Sequence, residues 1–71
     1  MRSEIDINQK AVLSTGEAAQ YINVQKSDIV RLCRIGVIKA FRSGPNYKIP
    51  KALLEETVCR WAADGVTIAD L

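Results

Sequence analysis

The sequence predicts a mainly α fold with a small β-hairpin: three short helices and a two-stranded antiparallel arm. Three observations support this. Apolar residues recur at helical spacing in three separate stretches, 17–22, 26–35 and 50–64. Two of these stretches are separated by only a few residues around Asn23. Between the second and third lies Ser43-Gly44-Pro45-Asn46, strong turn punctuation flanked by strand-forming residues.

Taken in order, residues 1–10 are polar around isolated Ile5 and Ile7 and read as a flexible arm. Ala11-Val12-Leu13 is a short apolar lead-in. Ser14-Thr15-Gly16-Glu17 fits the capping box, in which the serine and the glutamate three residues on each bond the other's free backbone N–H. The helix it opens runs through Ala18, Ala19, Tyr21 and Ile22. It ends near Asn23, a residue that tolerates the left-handed conformation used to leave a helix. A second helix is expected from Lys26 to Ile35, stopped by Gly36. Two helices joined by a tight Asn-Val-Gln turn make a helix-turn-helix. Val37 to Arg42 can form one strand and Tyr47-Lys48-Ile49 the return strand, giving a hairpin. Pro50 suits the first turn of a third helix, which continues through Leu53, Leu54, Val58 and Trp61 to Asp64-Gly65. The whole is a winged helix-turn-helix spanning 11–65. It is followed by an apolar tail, 66–71, that can fold back on the third helix or dock on another copy.

Composition narrows the function. With 48% apolar and 25% charged residues, the sequence is that of an ordinary globular domain. A chain of this size buries only about 60% of its unfolded surface, which leaves little room for a substrate pocket. No apolar run approaches the roughly 18 residues that would span a bilayer. Met1-Arg2-Ser3-Glu4-Ile5-Asp6 lacks the apolar stretch of a signal peptide, so a cytoplasmic location is expected. Histidine is absent, and Cys33 and Cys59 alone cannot complete a tetrahedral zinc site. Neither enzymatic activity nor a cofactor is expected.

The charge is unevenly placed. From Lys26 to Lys51 seven bases face one acid, Asp28, giving +6, whereas the flanks carry −4. Such a pattern favours a polyanion approaching from one side. On a helical wheel of the second helix, Ile29, Leu32 and Cys33 form the inward stripe, with Ser27, Val30, Arg31 and Arg34 opposite. These are side chains suited to the major groove: arginine can donate two hydrogen bonds to guanine, serine can bond a base or phosphate, and valine can meet a thymine methyl. Gln25, Lys26 and Ser27 place the helix's first N–H groups where a phosphate can bind. Arg42 and Lys48, flanking the hairpin turn, are candidates for contact with the backbone or minor groove. Tyr47 reads as a cross-strand packing residue, and Phe41 and Trp61 as core. Cys59 reads as a partly exposed bystander thiol.

The stretch from Val12 to Val24 resembles the opening of the excisionase-type winged helix-turn-helix, a family related to the MerR DNA-binding domain. The likeness continues through Ile29, Arg31-Leu32, Arg34, Gly36, Ile38-Lys39-Ala40, Arg42, Gly44 and Tyr47-Lys48-Ile49-Pro50. It implies a second helix in the major groove and a wing on the adjacent minor groove or backbone. It also implies a phage or mobile-element protein that binds beside an attachment site, bends DNA and assists an integrase, with cooperative self-association along the DNA. Small transcription regulators share the pattern. The sequence departs from it at Gln25, a poorer cap than the usual serine or threonine, and at Pro45-Asn46, where cations are common. A protein-interaction adaptor on the same fold is the competing reading, and the apolar tail keeps it open.

Overall fold

Strand and helix meet at Ser14 in the computed structural model, which describes residues 10–71. The expected N-terminal arm therefore lies outside the described residues, apart from Lys10. Ser14 closes strand β1 (Val12–Ser14) and is also the N-cap of helix α1 (Thr15–Ile22). Its hydroxyl accepts the Glu17 N–H at 3.2 Å, and its own N–H donates to the Glu17 carboxylate at 2.9 Å. The reciprocal capping box is complete. Lys10 adds an ion pair to the same carboxylate. At the far end Asn23 adopts the left-handed conformation, φ 60°, which releases the chain into a tight turn. Helix α2 (Lys26–Arg34) follows, so the two helices are separated by three residues.

Ile35 caps α2, and Gly36, at φ 84°, turns the chain out of the helix. The Val37–Arg42 strand expected from sequence is shorter than anticipated and begins later. Strand β2 is only Phe41–Ser43, because Val37 and Ile38 donate their N–H groups back to the Leu32 carbonyl. Those bonds seal the end of α2 and drop Ile38 into the core at 1% exposure. The β propensity of the stretch is thus overridden by the need to satisfy the helix's last carbonyls.

β2 pairs antiparallel with β3 (Asn46–Pro50) through a two-residue turn, Gly44–Pro45. Gly44 has φ 63°, and proline cannot follow it into positive φ, which leaves a type II′ turn. β3 is also paired on its other side. β1 joins it antiparallel, with Leu13 opposite Ile49 and Ser14 opposite Lys48, giving a three-stranded sheet of order β1-β3-β2. The lead-in expected at residues 11–13 is therefore largely a strand. Its pairing runs into the final helix, α3 (Lys51–Asp64), whose first N–H donates to the Ala11 carbonyl at 2.9 Å. Pro50 is the N-cap of α3 rather than a member of its first turn.

The fold class matches the expectation, mainly α with a small β element and compatible with a winged helix-turn-helix; β1 is the addition. Leu13, Ile29, Leu32, Ile38, Ile49 and Leu54 are fully buried, so every layer contributes to one core. Thr57 is also buried, and its hydroxyl is satisfied by the Leu53 carbonyl one turn earlier. Trp61, Ile68 and Leu71 pack against this core from its rim. Phe41 does not, being 52% exposed, which corrects its assignment to the core. On the α1–α3 side, the Tyr21 hydroxyl donates to Glu55, a bond that holds the phenol above its ordinary pKa.

Candidate nucleic-acid interface

The buried stripe of α2 is the one the wheel predicts: Ile29 and Leu32 at 0% exposure and Cys33 at 8%. Burial pushes the Cys33 thiol above its ordinary pKa, making it inert packing. With that side fixed, helical geometry turns Ser27 and Arg34 outward, and both are exposed along with Gln25 and Lys26. Val30 is half-buried at the edge of this face. Gln25 makes no side-chain cap bond, although its carbonyl accepts from Asp28 and Ile29. A weak cap here leaves the Lys26 and Ser27 N–H groups, the first two of α2, without a capping side chain. They are available to an anion at the positive end of the helix dipole.

Arg31 is placed differently from its neighbours. Its guanidinium reaches residues 68–71, donating from Nη1 to the Leu71 main-chain oxygen and from Nη2 to the Ile68 carbonyl at 3.2 Å. Nη2 also lies 3.6 Å from Asp28, one turn back on α2. Wheel position alone groups Arg31 with Arg34, but tertiary contact separates them.

The two hairpin cations are also divided. Arg42 pairs in register with Tyr47, whereas Lys48 pairs with Phe41 on one side and Ser14 on the other. Because side chains alternate along a strand, Arg42, Tyr47, Ile49 and Leu13 share the sheet face that meets the core, and Lys48, Phe41 and Ser14 share the opposite face. Arg42 thus projects on the same side as the helices. Its guanidinium lies 4.9 Å from the centre of the Tyr47 ring, a cation–π contact that orients the charge. Tyr47 is therefore both the packing residue expected and a support for Arg42. Cys59 is exposed on α3, beside a shallow groove lined by Tyr21, Ile22, Glu55 and Val58. Among the described residues no helix is long and apolar enough to cross a membrane, and no His/Cys/Asp/Glu group could hold a metal.

Two short helices joined by a three-residue turn, one presenting an exposed basic face over a buried aliphatic stripe, define a helix-turn-helix domain. Residues 12–62 match the helix-turn-helix domain family over most of the chain, and the protein belongs to that family of DNA-binding domains. A relative, the magnetosome protein MamR of Magnetospirillum gryphiswaldense, is 37% identical over 49 residues, 69% of this chain. The chain spans 58% of the length of that relative. No solved structure matches it.

Proposed function

We propose that the protein is a sequence-specific duplex DNA-binding protein in which α2 enters the major groove and the β2–β3 hairpin acts as a wing against the flanking backbone. The observation that carries this reading is the exposed Ser27 and Arg34 face of α2, set opposite a buried stripe, with Lys26 exposed in the helix's first turn. Major-groove reading needs a helix anchored rigidly on one side with hydrogen-bond donors on the other. Arg42, held on Tyr47 on the helix side of the sheet, is the hairpin's backbone contact. Lys48, on the far face, contributes long-range attraction more than direct contact. The protein acts by binding rather than by catalysis.

The finer role we propose is that of an excisionase-type accessory factor, which binds beside an attachment site and assists an integrase. Its support is the likeness of residues 12–50 to that type. A small domain buries only about 600–1,000 Å² on DNA, so adjacent copies binding cooperatively would supply affinity that one copy lacks.

A gel-shift salt series tests the DNA reading. With about five phosphates neutralised, log affinity falls against log salt with a slope near −4 to −5. Arg34→Ala lowers affinity for the preferred site by about 1–3 kcal/mol and relaxes sequence preference. Binding that is absent, or indifferent to salt, would refute the reading.

A further inference from the structure

The closing segment of the chain crosses the margin of the α2 face. After α3, Gly65 turns the backbone, and Ile68–Asp70 form a single 3-10 turn that brings the Ile68 and Leu71 main-chain oxygens onto the Arg31 guanidinium. Ile68 and Leu71 themselves pack against the core, so the segment is anchored by apolar contact as well as by hydrogen bonds. We infer that residues 66–71 form an autoinhibitory strap that holds Arg31 out of the DNA interface until nucleic acid displaces it. This inference rests on the proposed DNA reading and adds regulation to the same site.

Three observations support the strap. Both terminal nitrogens of the Arg31 fork are engaged, one by each of these oxygens. The edge that would bond a guanine bidentately is therefore occupied by backbone oxygens. Next, residues 61–71 carry Asp64 and Asp70 and no base. Asp70 is exposed between the two residues whose main-chain oxygens meet Arg31, and its charge opposes the approach of phosphate. Finally, the strap lies beyond residues 12–62, the span that matches the helix-turn-helix domain. Arg31 is left with 36% of its side chain exposed, enough for an incoming phosphate to compete for it.

The experiment uses the full chain. Ile68→Ser combined with Leu71→Ser removes the strap's apolar anchors and leaves the α2 face unchanged. DNA affinity is expected to rise roughly tenfold, and the rise is expected to vanish in an Arg31→Ala background. An unchanged or reduced affinity overturns the strap, since an inert segment gives the first result and a brace for Arg31 the second. Amide exchange on the unmodified chain provides a second readout that does not depend on a variant folding. The Asp70 and Leu71 N–H groups, bonded to Thr67 and Ile68, are expected to lose protection when DNA is bound. Protection that is retained or increased overturns the proposal. If neither the parent chain nor the Arg31-intact variant binds DNA, it is the DNA reading that fails.

Discussion

Ser14 and Glu17 show how much one local motif determines. The carboxylate accepts from Lys10 and from the Ser14 N–H, and these bonds hold its pKa below the ordinary 4.5, the Lys10 contact contributing most. Because the folded pKa is depressed, the unfolded chain takes up the proton first, so the charge stabilises the fold above about pH 4.5 and stops doing so as pH falls through the lowered value. Glu17→Gln keeps a capping side chain but loses the charge. Its urea midpoint should lie below that of the parent at neutral pH and converge with it in acid; a gap that persists unchanged to pH 3 would contradict this origin. The motif was legible because its chemistry is contained within four residues. Phe41 was not legible: an aromatic in an apolar stretch resembles core, and only strand register, which sets it beside Lys48 on the outer face, reveals otherwise. Arg31 escaped for a related reason, since its main-chain partners are 37 and 40 residues away.

At the level of elements, helices were easier to read than strands. α1 announces itself by its capping box and the Asn23 exit, and α2 by the spacing of its apolar stripe, all of which are local. β1 is three residues long with no pattern of its own, and it exists because β3 offers it a partner. The start of β2 was displaced by bonds from Val37 and Ile38 to the end of α2, a competition that strand propensity does not register. The turn between β2 and β3, by contrast, is written in two residues. At φ 63° a Cβ on Gly44 meets no neighbouring atom, so the penalty for Gly44→Ala is conformational rather than steric crowding. The loss should be roughly 1–2 kcal/mol in urea unfolding, with the helices retained by circular dichroism at low denaturant. Full retention of stability would mean that the turn has another backbone solution. Within the candidate interface, Arg42→Ala should weaken DNA binding more than Lys48→Ala, because only Arg42 projects on the helix side; equal losses in a gel shift would remove that distinction.

At the scale of the whole fold, nine buried apolar residues among those described form a core shared by helices, strands and the loop carrying Ile38. Stability for a chain of this size is about 4–10 kcal/mol. Leu54→Ala, at a fully buried position where α3 meets the rest, should remove about 2–5 kcal/mol of it. The expected result is a much lower melting temperature or loss of the cooperative transition; a shift of only a degree or two would show that α3 is peripheral. The uneven charge was readable from sequence at this scale, but its division between two sheet faces required register. One consequence lies in the double duty of Ser14, which ends a strand paired with Lys48 and starts the helix that supports α2. Helix-turn-helix and hairpin are therefore not interchangeable modules. A hairpin grafted from a relative would have to reproduce the spacing of β3 to keep α1 correctly seated. Retargeting the protein to a new DNA sequence is better sought on the outer side of α2, where Ser27 and Arg34 can be exchanged without disturbing that joint.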